Sequence, residues 1–220
     1  MHFLAGVIVR EESEDSVYEI LEPYQEYDGT EETKKYAIFE DCDEDNQWLY
    51  EEKYKEKYAS YEEFLKSDDA DGELHNGKRG YWNNPNSQWD WYKIGGRWDG
   101  LLNPESQTPN QIKISDLNFV IDAKIAHTAK RGWEIVVEGQ EKTEEDEDYY
   151  ISKEFLLDHY ESKEEYMRIA STSLPYCFFT PDGEFVEKDY KEKFNVFEQK
   201  FYDVLEKYKD CYLFYVDLHI

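Results

Sequence analysis

Tyr212-Leu-Phe-Tyr-Val-Asp-Leu-His-Ile220 and Phe3-Leu-Ala-Gly-Val-Ile-Val9 stand near opposite ends of a 220-residue sequence and are its most apolar strand-like stretches. Short apolar runs of this kind, rich in β-branched or aromatic residues, read as buried strands. Both are therefore expected near the middle of one sheet, paired with each other. Ahead of the last strand, Phe194, Phe197, Phe201, Val204, Leu205 and Tyr208 recur at helical spacing. That apolar stripe predicts an amphipathic helix lying on one face of the sheet.

Working inward, Ser13 is placed to cap a helix running to about Leu21, which Pro23 ends. Tyr36 to Phe39 reads as a strand, followed by an acidic turn from Asp41 to Asp45. Trp48, Tyr54, Tyr58, Tyr61 and Leu65 give a helical stripe, with a restart at the capping box Ser60-Tyr-Glu-Glu63. Asp68 to Gly80 reads as polar loop, and Asn103 to Asn110 as a connection. Phe119 to Ala126 is an apolar run compatible with strand or helix. Trp133 to Val137, after Gly132, reads as a strand. Glu138 to Asp148 holds seven acidic residues against one lysine and reads as a solvated loop. Ser152 to Tyr160 and Ser162 to Ala170 read as helices. Pro181-Asp182-Gly183 between Tyr176–Thr180 and Glu184–Val186 is a hairpin signal. Together these predict one α+β domain over residues 1–220 with a mostly antiparallel sheet. The plan has ferredoxin-like split βαβ character, with a large middle insertion over roughly 41–170.

That insertion carries Tyr81 to Leu102, YWNNPNSQWDWYKIGGRWDGLL, with four of the six tryptophans. Asn84-Pro85-Asn86 is turn chemistry. From Gln88 the pattern alternates, so an extended strand puts Trp89, Trp91 and Lys93 on one face and Asp90, Tyr92 and Ile94 on the other. Gly95-Gly96 permits a sharp turn or a close approach, and Arg97 and Trp98 follow. Two readings stand. Trp89, Trp91, Tyr92, Gly95, Gly96, Arg97 and Trp98 make a pocket for a planar anion, by stacking, guanidinium bonds and backbone N–H contact. Alternatively, they make a packed hairpin with Arg97 paired to Asp90 or Asp99.

The motif N-P-N-x-x-W-D-W-Y-x-I-G-G-R-W-x-G, with the closing Asp217-Leu218-His219-Ile220 strand, resembles the signature of a family of phage and prophage proteins of similar length. The resemblance implies a phage or mobile-element accessory role and brings no activity with it.

The formal net charge of −27 sets the bounds on partners. It disfavours direct nucleic-acid binding and anionic membranes, and leaves open a basic host protein, imitation of nucleic acid, or a homo-oligomer. Apolar content of 40% and aromatic content of 17% argue for a packed core. Cys42, Cys177 and Cys211 lack CxxC spacing, and no signal peptide or membrane-length run is read, so a reducing host cytoplasm is expected. No catalytic motif, cofactor or metal cluster is read. The five histidines are scattered, although Asp217 and His219 share a strand face that His2 joins if the end strands are neighbours. The expected function is non-enzymatic binding and sequestration of a nucleotide-like or cyclic nucleotide signal, in the manner of counter-defence. The alternatives are an acidic mimic, built on runs such as Glu11–Asp15, Asp41–Asp45 and Glu144–Asp148, and a metal-assisted hydrolase using Asp217 and His219.

Overall fold

The computed structural model describes residues 1–119, 121–144, 146, 149–172 and 174–220. In chain order its main elements begin with β1 (His2–Val9), α1 (Glu14–Leu21), α2 (Glu31–Lys34), β2 (Ile38–Asp41), α3 (Asp43–Leu49) and α4 (Tyr61–Leu65). Next come β3 (Glu73–His75), β4 (Lys78–Asn83), β5 (Trp91–Ile94), β6 (Gln111–Lys113), α5 (Ala123–Val136) and α6 (Lys153–His159). The chain continues through α7 (Lys163–Ser171), β7 (Cys177–Phe179), β8 (Phe185–Glu187), α8 (Phe194–Lys207) and β9 (Tyr212–His219). The mixed α+β class and the mostly antiparallel sheet are as expected. Two compact units form, Met1–Leu21 with Trp91–Ile220, and Glu22–Asp90. The segment set apart is thus earlier and shorter than the expected 41–170, and residues 91–170 belong with the chain ends.

The larger unit is built on β1 and β9, which pair antiparallel along their whole length, from His2 opposite His219 to Val9 opposite Tyr212. Sheet order is β5-β9-β1-β7-β8, with β6 also on β9. β5 takes the C-terminal half of β9 and β6 the N-terminal half. A split βαβ plan separates its parallel strands by a third, whereas β1 and β7 pair directly in parallel. The ferredoxin-like expectation is therefore not met. Leu4, Ile8, Phe178, Leu213 and Tyr215 form one buried face, and Phe197, Phe201 and Leu205 of α8 pack on it. On the other side, α1 contacts β1 and buries Val17 and Leu21.

Trp133 to Val137 is not a strand. It continues α5, because Ile125, Ala129, Trp133 and Val136 keep a helical period. The Asp122 carboxylate caps that helix, accepting from the N–H groups of Lys124 and Ile125 at 2.8 and 3.0 Å. Gly132 is no break: a Cβ there would press on the Tyr149 ring. The Phe119–Ala126 run enters the same helix at Ala123, with Val120 outside the described residues. Of the acidic run Glu144–Asp148, residues Glu145, Glu147 and Asp148 are likewise outside them. Ser60 caps a helix as expected, and Ser152 and Ser162 cap the helices expected to begin at them, each side chain accepting from the N–H three residues on.

The smaller unit holds the sheet β2-β4-β3. The stretch Asp68–Gly80, expected as loop, contains a hairpin. Asn76 and Gly77 both take positive φ between His75 and Lys78, the two-residue turn that matches strand twist. The first strand of this sheet starts at Ile38, two residues after the expected Tyr36. Asp43 to Asp45, expected in a turn, open α3, where acidic side chains suit the positive helix end. Tyr50, Tyr54, Tyr58 and Tyr61 surround the buried Phe64 ring. Arg79 donates to the carbonyls of Leu65, Ser67 and Gly72 at 2.6–2.7 Å, so its guanidinium is a structural brace.

Phe201 is fully buried at the centre of the α8 face. Phe201→Ala is expected to cost about 3–5 kcal/mol through lost transfer energy and a residual cavity. Urea unfolding of the two proteins measures the difference, and a loss below about 1 kcal/mol would contradict this account of the core.

Candidate functional site

The tryptophan-rich stretch is divided between the two units. Asn84 lies in the smaller one, buried, and donates to the carbonyls of Pro23 and Gln25 at 2.9 and 2.8 Å. Its own oxygen accepts from Asn86 N–H at 3.0 Å, which closes the turn around Pro85. Trp89 belongs to the same unit and is 4% exposed, with its carbonyl accepting from Glu26 N–H. A covered indole offers no face for stacking, so Trp89 does not join Trp91 as expected.

Trp91 begins β5 and is 46% exposed. It stands opposite His219 in the sheet, and Lys93 stands opposite Asp217. Directly paired residues share a face, and on β1 His2 faces His219. Trp91, Lys93, His2, Asp217 and His219 therefore gather at one end of one sheet face. The His2 ring meets Trp91 at 5.8 Å and His219 at 4.7 Å, edge-on in both cases. Tyr92 points to the other face. Burial, with Tyr18, Glu14 and Asp15 nearby, raises the pKa of its phenol.

Asp217 organises this corner. It is 1% exposed. Its Oδ1 lies 2.8 Å from His2 Nδ1, and its Oδ2 accepts from Arg97 N–H at 3.1 Å. Gly95 and Gly96 have φ of +72° and +54°, a region few other residues enter. A Cβ on Gly96 would collide with the Asp217 side chain, and one on Gly95 with the Asn110 amide. The Gly95 N–H donates to the Tyr215 carbonyl at 2.9 Å. The N–H groups of Gly95 and Arg97 are thus committed to the protein, so Gly95 of the glycine pair has no N–H to offer a phosphate.

Asn110, which no sequence motif marks, is the second clamp. Its oxygen accepts from Gly100 N–H at 2.8 Å and its amide donates to Asp99 at 2.7 Å. Its carbonyl also accepts from Tyr215 N–H at 2.9 Å. Asp99, a candidate partner of Arg97, is thereby held by Asn110.

Arg97 itself is exposed, and its guanidinium has no hydrogen bond or ion pair among the described residues. The other four arginines are committed. Arg10 pairs with Asp182, Arg79 with three carbonyls, Arg131 with Glu134 and Asp146, and Arg168 with Glu198. The Lys93 ammonium is likewise exposed and without a partner among the described residues. Trp98, half-buried, packs inward against the α8 core. The seven expected residues therefore separate into an exposed set (Trp91, Arg97), a buried or packed set (Trp89, Tyr92, Trp98) and two turn glycines.

Although His2, Asp217 and His219 meet, no group of three or more His, Cys, Asp or Glu is placed to hold a metal ion among the described residues. Nor is any described helix long and apolar enough to cross a membrane. A cavity of about 600 Å³ between the Gly100–Glu105 loop and Phe119 carries Glu105, Asp116 and Asp122 in its wall, which suits no anion. Compared with protein-family models, curated proteins and solved structures, the chain matches none.

Gly96→Ala should be costly on two counts. Positive φ costs a side-chain-bearing residue about 1–3 kcal/mol, and the new Cβ also drives into Asp217. Gly139, with φ of +75° and open space around it, isolates the first count. In thermal unfolding Gly96→Ala is expected to lose clearly more stability than Gly139→Ala, and equal losses would remove the close-approach argument.

Proposed function

We propose that the protein is a non-enzymatic binder of a nucleotide-like anion, held at the corner formed by Trp91, Lys93 and Arg97. The carrying observation is Arg97: in a chain with 52 acidic and 25 Lys and Arg residues, it alone of the arginines keeps a guanidinium without a hydrogen bond or ion pair among the described residues. Trp91 pairs with His219, Lys93 with Asp217, and the Arg97 backbone is tied to Asp217. Positions 217 and 219 are roughly 7 Å apart along a strand. A base on the exposed Trp91 ring and a phosphate on Arg97 and Lys93 span a distance of that order. Base–aromatic stacking and charge-assisted bonds are the interactions such a ligand uses.

The resemblance to phage proteins supplies a setting, sequestration of a nucleotide signal made in host defence, in which tight binding without turnover suffices. Calorimetry against mono-, di- and cyclic nucleotides is the direct test. Arg97→Ala is expected to weaken binding by about 1.5–3 kcal/mol, and Trp91→Ala by about 1–3 kcal/mol, each with little change in melting temperature. No heat with any nucleotide, or an Arg97→Ala protein of unaltered affinity, would sink the proposal.

A further inference from the structure

The larger unit contains a second recess of different character. A cavity of about 510 Å³ lies where β1 begins, walled by Leu4, Trp98, Tyr160, Ile169 and Phe194. Its size falls within the range of small-molecule sites. Lys188, in the segment after β8, is the only charged side chain among the described residues that line it. Lys188 is 7% exposed. Its ammonium donates to the Asp189 carbonyl at 3.1 Å and stands 4.5 Å over the Phe194 ring. Neither partner carries a charge. The neighbouring carboxylate of Glu192 pairs with Lys200 through Oε1, and its buried Oε2 has no hydrogen-bond partner among the described residues. Burial lowers the Lys188 pKa and outweighs the nearby Glu192 and Asp189 carboxylates, which raise it, the response of an ammonium whose desolvation is only partly compensated.

We propose that this cavity binds a small apolar or aromatic monocarboxylate, with its carboxylate on the Lys188 ammonium and its body against Trp98, Tyr160 and Phe194. A buried cation is stabilised by an anion that brings hydrogen-bond acceptors. The walls require the rest of that ligand to be apolar. One cation in an otherwise uncharged lining selects a single negative charge. A phosphate monoester would bring a second charge that nothing in the wall meets, which separates this ligand from the nucleotide-like anion at Arg97.

The test is calorimetry of the full chain with octanoate and indole-3-acetate, beside their neutral amides and octyl phosphate. The acids are expected to bind at least tenfold more tightly than the amides and more tightly than octyl phosphate. Lys188→Met should abolish the preference for acid over amide, and Ile169→Trp should fill the cavity and remove binding of both. Arg97→Ala should leave octanoate affinity unchanged, so the two sites fail or stand separately. Absence of heat with both acids, equal affinity for acid and amide, or stronger binding of octyl phosphate would overturn the proposal. The wild-type comparison of acid with amide decides it even if Lys188→Met does not fold.

Discussion

The carboxylate of Asp217 is the interaction on which this corner of the protein depends. Taking an ionised carboxylate out of water is expensive unless its oxygens are met. Here they are met by groups far away in the chain, the His2 imidazole and the Arg97 backbone N–H. One side chain on β9 thereby ties down the start of β1 and the turn that follows β5. The requirement for glycine at position 96 follows, because Asp217 occupies the space a side chain would take. The exposure of Arg97 follows as well. Its backbone does the structural work, which leaves its guanidinium outside the internal bonding.

That division of labour runs opposite to the other arginines. Arg79 uses its guanidinium to gather three carbonyls of a tight loop, and Arg131 and Arg168 neutralise Asp146, Glu134 and Glu198. Each of these would leave a buried or half-buried acceptor stranded if removed. Removing the Arg97 guanidinium would strand no acceptor among the described residues. Its side chain thus answers to the surface and to whatever meets that surface.

Much of the larger unit was legible because its signals are local and redundant. The two end strands are apolar over most of their length, α8 repeats Phe197, Phe201 and Leu205 on one stripe, and the serine caps sit three residues before the N–H groups they accept from. The misreadings have physical causes. Trp133 to Val137 is a five-residue run with four apolar residues around Glu134 that fits either period, and Gly132 reads as a boundary although it is a contact with Tyr149. The hairpin at Asn76-Gly77 carried its turn signal, but Glu73 to His75 and Lys78 to Asn83 lack an apolar face to mark them as strands. In the tryptophan stretch the alternation correctly separated Trp91 from Tyr92. It failed at Trp89, whose backbone is bonded to Glu26 rather than extended into β5. The glycine pair announced a close approach, but Asp217 and Asn110, which make that approach, stand 121 and 15 residues away in the chain from Gly96 and Gly95.

The net charge of −27 bears on the two proposed sites in the same direction. An anion approaching this protein meets a repulsive field, and screening confines that field to about 8–10 Å at ordinary ionic strength. Selection for an anion must then come from short-range contacts that outweigh the background. At the site proposed at Arg97 the contact would be an exposed guanidinium, whose planar geometry discriminates planar groups as well as charge. At the site proposed at Lys188 it would be an ammonium withdrawn from water, where a single opposite charge is worth more because less solvent screens it. For the two proposed sites the acidic surface would thus sharpen the distinction between ligands, because an anion without the matching ring or hydrocarbon body would gain too little at either place to offset the repulsion.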